Sequence, residues 1–120
     1  MDRPLRISLV VGEASGDELG ADLMTALKAR HSGPIDFSGL GGKAVSDAGL
    51  TPLFDIEEIA VMGISAVVGR LPAILKRINQ TAQAIIDERP DVLFIIDSPD
   101  FTHRVAKKVR TVLPLSLIHI

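Results

Sequence analysis

The clearest structural signal in the chain is the segment DVLFIIDSPD at residues 91–100. Its uninterrupted apolar run, residues 92–96, is typical of a strand that is buried on both faces of a parallel sheet. The run ends in a polar turn at residues 97–100, and a basic helix is predicted after that turn. Together these features predict a strand, a turn and a helix, the repeating unit of an α/β fold.

The same unit occurs upstream of this segment. Residues 7–11 predict a buried strand ended by a glycine, and apolar residues recur at helical spacing over residues 19–27. Residues 35–39 predict a second strand, followed by a glycine-rich turn and a small helix. Residues 71–86 predict a long helix with one apolar face, ended by a proline. Alternating strands and helices predict a Rossmann-like, doubly wound parallel sheet, in which ligands bind beyond the carboxyl ends of the strands.

The composition narrows the classes of function. A chain of 120 residues can form one compact domain, and 47% hydrophobic and 23% charged residues are typical of a globular protein. The net charge of -2 gives no reason to expect nucleic acid as a partner. The chain has no cysteine and its three histidines are scattered, so no metal site is predicted. We read no signal peptide or membrane span, which predicts a cytoplasmic protein that at most attaches to a membrane surface.

Two glycine-containing loops lie at the predicted carboxyl edge of the sheet. The loop GEASGD at residues 12–17 offers a helix N-terminus to an anion, yet Ser15 or Asp17 could simply cap that helix. It lacks the dinucleotide fingerprint and the P-loop lysine. In the second loop, Gly41 and Gly42 could admit a sugar or phosphate, or could form a tight turn. Both alternatives stay open for each loop.

Asp97 is the sharpest candidate for catalysis. It is a carboxylate directly after a strongly apolar strand, which suits a general base at the ligand-binding edge. The alternative is a side chain that stabilises its own turn or caps the next helix, a task for which Asp100 is better placed.

Residues 61–72 are unusually apolar for a connection between two elements. The segment could be core, or it could dock on a membrane with Arg70, Lys76 and Arg77 near anionic headgroups.

Taken together, the motifs of this chain resemble those of the lipid-A-disaccharide synthases. They occur in one order: VGEASGD (residues 11–17), FSGLGG (37–42), EIAVMG (58–63), PDV (90–92) and IDSPDF (96–101). The resemblance extends from about residue 5 to residue 114.

The resemblance implies an inverting glycosyltransferase of the GT-B type, built from two Rossmann-like domains that face a cleft. The family transfers 2,3-diacylglucosamine from UDP-2,3-diacylglucosamine to 2,3-diacylglucosamine 1-phosphate, which yields lipid A disaccharide 1-phosphate and UDP. It requires no metal or other cofactor, and it acts in the cytoplasm, peripherally associated with the inner membrane. The oligomeric state stays open.

The resemblance also implies roles for individual residues. Asp97 is implied to be the general base that deprotonates the acceptor 6-hydroxyl. The adjoining substrate-binding residues are expected to be Glu13, Ser15, Gly16, Asp17, Gly41, Gly42 and Asp100. The surface that reaches membrane or acyl chains is expected to comprise Met62, Ile64, Val67, Val68, Leu71, Ile74 and Leu75.

The domain plan follows from the same resemblance. Residues 1–114 are expected to form an incomplete, acceptor-side N-terminal domain, with the C-terminal donor domain absent. Residues 115–120 could form a strand, but an α/β chain is not expected to end where its next strand begins, so we expect this hexapeptide to be a non-native tail. We expect no transfer by this chain alone, because transfer needs base, acceptor and donor held together.

Two other classes of function stay open at this point. One is another GT-B-type sugar-nucleotide enzyme, which would act on sugars without acyl chains. The other is a stand-alone α/β domain that binds a lipid or nucleotide without catalysis.

Overall fold

The computed structural model describes residues 4–12, 14–55, 71–96, 99–114 and 116–119. Its strands are β1 (Leu5–Val11), β2 (Ile35–Leu40), β3 (Val92–Ile96) and β4 (Ser116–His119). Its helices are α1 (Ala14–Arg30), α2 (Lys43–Asp47), α3 (Leu71–Glu88) and α4 (Pro99–Arg110).

The described strands form one parallel sheet in the order β2-β1-β3-β4. From β1 the chain first moves to one side, to β2, and then crosses to the other side, to β3 and β4. The strand order therefore reverses between β1 and β3, which makes this boundary the topological switch point of the sheet. The predicted Rossmann-like parallel fold is confirmed.

Alternate residues of the strands feed two separate cores. Val10, Leu93 and Ile95 point into one core with buried residues of α3 and α4. Leu9 and Phe94 point into the other core, which holds buried residues of α1 and α2. Both faces of the sheet are therefore covered by helices, and this is why β3 is apolar at every position rather than at every second one.

Helix α3 largely confirms the predicted apolar face. Ile78, Ala82 and Ile85 are buried, but Leu75 is 42% exposed and lies off that face. The helix ends as predicted: Arg89 adopts a left-handed backbone with φ of 49° just before the proline. The basic residues of α4 form an exposed face opposite its buried one.

Helix α1 follows its predicted apolar pattern in part: Leu23 and Leu27 pack against the core, but Leu19 is not part of this contact. Leu19 is 47% exposed, whereas Met24 is fully buried and Gly20 is buried beside it. A Cβ atom at Gly20 would lie 3.1 Å from methyl carbons of Val11 and Val45. Because Gly20 has no side chain, α1 can approach the sheet closely at this position. The apolar pattern of the sequence does not predict a contact at a glycine.

Residues 116–119 form the edge strand β4, which pairs with β3 from Val92↔Ser116 to Ile95↔His119. The expected non-native origin of residues 115–120 stays a prediction about the coding DNA, since a strand conformation does not test it. No helix in the described part of the chain has the length and apolarity that crossing a membrane requires.

Candidate functional site

The switch point brings the carboxyl ends of β1 and β3 side by side. Val11 and Ile96, the last residues of the two strands, are partners in the ladder. The Gly12 N–H then donates to the carbonyl oxygen of Ile96 at 3.1 Å. The chain therefore leaves both strands at adjacent points, and a ligand is expected in the crevice that opens there.

The sequence-predicted residues at this edge fall into two groups. Asp97 and Glu13 lie outside the described residues, although each directly follows one of the two hydrogen-bonded residues in the chain. Asp100 lies within α4, with its side chain outside the described part. In the first turn of α1, Ser15 is exposed and Gly16 is buried.

Asp17 has a position that the sequence did not reveal. Its Oδ1 accepts hydrogen bonds from the backbone N–H groups of Gly42 (2.7 Å) and Val45 (3.2 Å). Its Oδ2 accepts one from the N–H of Ala44 at 2.8 Å. The residue is only 8% exposed. Asp17 therefore caps the start of α2, where Gly42 provides no side-chain cap of its own.

Electrostatics favours this arrangement. Asp17 also lies in the first turn of α1, so its negative charge is close to the N-termini of two helices at once. A hydrogen bond to a charged acceptor contributes about 1.5–3 kcal/mol, and here one carboxylate accepts three from partly or fully buried donors. The amides of Gly42, Ala44 and Val45 are thus already paired within the protein.

Packing within the protein explains why residues 41 and 42 of the second loop are glycines. A Cβ atom at Gly42 would lie 2.8 Å from Oδ2 of Asp17, and one at Gly41 would lie 2.8 Å from Cβ of Val45. Gly42 therefore permits the close approach of α1 to the start of α2, and Gly41 permits the tight turn from β2 into α2. Direct substrate contact by Gly41, Gly42 or Asp17 stays a prediction.

Sequence reasoning did not detect that the first and second motifs share one capping carboxylate. Twenty-five residues separate Asp17 from Gly42, and neither helical nor strand periodicity relates positions so far apart. In the part of the chain that the structure describes, no three histidine, aspartate or glutamate side chains are grouped to hold a metal ion.

Most of the predicted membrane-contacting surface lies outside the described residues, namely Met62, Ile64, Val67 and Val68. Leu71 begins α3, and its side chain is likewise outside the described part. Ile74 is half-buried and packs against the core beneath α3 and α4. Leu75 is the described member of the set that faces outward.

Comparison with known proteins identifies the family of the chain. The model of the lipid-A-disaccharide synthetase family matches residues 7–120. The lipid-A-disaccharide synthase of Rhodopseudomonas palustris (strain HaA2) is 58% identical over 105 residues, 88% of this chain and 27% of the relative.

Relatives with lower identity align with the same share of this chain. The synthase of Nitrobacter hamburgensis is 52% identical over 88% of this chain and 26% of its own length. That of Pseudomonas paraeruginosa is 49% identical over 88% of this chain and 28% of its own length. The chain spans about a quarter of the length of these relatives. Because the family match covers nearly every residue of the described sheet and helices, the chain belongs to the lipid-A-disaccharide synthetase family.

Proposed function

We propose that this chain is the acceptor-side part of a GT-B glycosyltransferase of lipid A biosynthesis. The enzyme would transfer 2,3-diacylglucosamine from UDP-2,3-diacylglucosamine to 2,3-diacylglucosamine 1-phosphate, releasing UDP and lipid A disaccharide 1-phosphate. The observation that carries the proposal is the 58% identity, over 105 residues, to a lipid-A-disaccharide synthase.

In the proposed reaction Asp97 is the general base. Its carboxylate takes the proton of the acceptor 6-hydroxyl while that oxygen attacks the anomeric carbon of the donor. The bond from the anomeric carbon to the UDP oxygen breaks, and UDP leaves with the bonding electron pair, so the configuration inverts. Support comes from Ile96, the residue before Asp97, which ends β3 at the switch point beside Gly12.

The neighbouring residues form the proposed acceptor wall. Glu13, Ser15 and Gly16 follow β1, and Asp100 follows β3, so both strands of the switch point contribute. Gly41 and Gly42 follow β2 and extend the wall along the same edge of the sheet. The donor's anomeric carbon must be held against this wall, a task that we assign to the part of the enzyme that the relatives possess beyond the matched quarter.

A full-length chimera tests this function. Residues 7–114 of this chain replace the matching segment of the Rhodopseudomonas palustris synthase. With both acylated substrates, we expect the chimera to form lipid A disaccharide 1-phosphate and UDP in equal amounts. The 120-residue chain alone is the matched control, and we expect no product from it.

Other outcomes would point to the alternative functions. Activity of the folded chimera on UDP-N-acetylglucosamine with an acceptor lacking acyl chains, and none on the acylated pair, would favour another sugar-nucleotide enzyme. Binding of the acylated substrates without turnover, in a chimera whose circular dichroism matches that of the parent synthase, would favour a binding domain.

Cytoplasmic location with peripheral attachment to the inner membrane is part of the same proposal. Support comes from the first half of α3, where Leu75 is 42% exposed and is followed by the exposed Lys76. An exposed leucine beside a cation can enter the headgroup region of an anionic bilayer while the cation stays at its surface.

We expect Leu75→Ser to weaken binding of the chimera to phosphatidylglycerol vesicles about tenfold, because burial of one leucine side chain contributes about 1.5 kcal/mol or more. Co-sedimentation measures the partition coefficient. Leu19→Ser is the matched control: Leu19 is 47% exposed, but α1 covers the opposite face of the sheet from α3. Equal losses in the two variants would contradict a docking surface on α3.

A further inference from the structure

We infer that Asp17 is a positioning residue, which holds the acceptor wall in place by capping α2 and does not itself touch the acceptor. The inference rests on the proposed function and deepens it. Its basis is the set of three hydrogen bonds that join Asp17 to the N–H groups of Gly42, Ala44 and Val45.

Little of the Asp17 carboxylate remains available to a substrate. An ionised carboxylate has about four acceptor positions, and three of them are directed at backbone donors of one short turn. The residue is 8% exposed, so little of it is presented to the crevice. The contacts of Asp17 are therefore with the protein itself, and they hold α1 to the start of α2.

The hydrogen bonds of Asp17 connect two segments that follow different strands. Asp17 lies on α1, the helix that follows β1, whereas its three partners lie in the turn and helix that follow β2. The α1 side is itself tied to β3, because Gly12 donates to Ile96 at the switch point. The start of α2 is therefore linked to the residue that immediately precedes Asp97 by two hydrogen-bonded contacts, one at Asp17 and one at Gly12, which are five residues apart in the chain.

Only a carboxylate matches these three backbone donors. Asparagine has the same shape, but one of its two terminal atoms is an N–H₂ donor. Placed here, that group would face the N–H of Ala44 or the N–H groups of Gly42 and Val45, donor against donor. The cap also requires glycine at position 42, because a Cβ atom on Gly42 would lie 2.8 Å from Oδ2 of Asp17. Asp17→Asn and Gly42→Ala therefore break the same cap from its two sides.

A double-mutant cycle in the full-length chimera tests the inference. We expect Asp17→Asn and Gly42→Ala each to lower kcat about 10- to 100-fold, because small displacements of a positioning wall have effects of this size. The KM for the UDP-linked donor should stay within twofold, since the donor is held elsewhere. The double variant should be no slower than the slower single variant, because the cap can be lost only once.

The control is Asp22→Asn, an exposed acid on the same helix, for which we expect unchanged kcat and KM. Rates are measured at a temperature at which circular dichroism shows every variant to be folded. Effects of the two substitutions that multiply would mean that Asp17 contacts substrate directly, and the inference would be wrong. Unchanged kcat in folded variants would reduce Asp17 to a purely stabilising role, which also overturns it.

The proposed function has its own measurement, product formation by the unsubstituted chimera. A failure of the proposed function would appear as no product from the unsubstituted chimera. A failure of the positioning role would appear in the kcat values of the variants of an active chimera.

Discussion

Asp97→Asn should lower kcat of the full-length chimera by a factor of about 10² to 10⁴, the range that a positioned general base contributes. Asparagine keeps the size and polarity of the side chain but cannot accept the proton of the acceptor hydroxyl. Substrate binding should change little, because the loss falls on proton transfer in the transition state. Initial rates at saturating concentrations of both acylated substrates, with KM values for each, measure the effect.

The matched control for this prediction is Asp36→Asn. Asp36 is an exposed acid near the amino end of β2, where it lies opposite Arg6 in the strand register, on the opposite edge of the sheet from the crevice. The Asp36→Asn substitution removes one negative charge, as Asp97→Asn does, and we expect its kcat to stay within twofold of the parent value. If kcat of Asp97→Asn stays within threefold of the parent value, Asp97 is not the general base. Its role would then be to stabilise its own turn.

Gly39→Ala should abolish the folded state of the 120-residue chain. Gly39 has a φ of 127°, a backbone conformation that residues with side chains rarely adopt, and it pairs with Leu9 of the central strand β1. A Cβ atom at this position would lie 1.9 Å from the carbonyl oxygen of Leu9. That oxygen belongs to the backbone of a buried strand, so no change of rotamer relieves the clash.

The expected cost is above about 4 kcal/mol, which is exceptional for a single substitution and comparable with the whole stability of a small domain. Far-ultraviolet circular dichroism and urea titration measure it. The control is Gly33→Ala, where the new methyl group would meet only the end of the His31 side chain, at 3.3 Å. There we expect a change below about 1 kcal/mol. A Gly39→Ala chain with the parent's urea midpoint would contradict the described pairing of β1 with β2.

Several features of the fold are readable from the sequence because they are local. The apolar run at residues 92–96 is too continuous for a half-exposed strand, residues 9–11 are likewise apolar, and the helical pattern between the two segments implies crossover connections. The end of α3 is equally local, since Pro90 cannot continue a helix and Arg89 turns into the left-handed region before it. Membership of the family is readable for a related reason, because the order of short motifs is a property of the chain itself.

The candidate site was predictable only in part. Its position after a buried strand predicts that Asp97 lies at the ligand-binding edge, and resemblance to the family supplies its expected role. The sequence does not say which strands are neighbours. Only the structure places β1 between β2 and β3, and this order creates the switch point beside Gly12 and Ile96.

By itself, the sequence of this protein determined its parallel α/β architecture, most of its helix and strand positions and its family, all of which depend on patterns within a few residues. Tertiary structure alone decided that α1 meets the sheet through Gly20 and Met24, and that Asp17 caps a helix that begins 26 residues further on. The physical reason is the same for both. A glycine contact and a capped amide gain their meaning from the atoms that pack against them, and those atoms are brought together by the fold rather than by neighbouring positions in the chain.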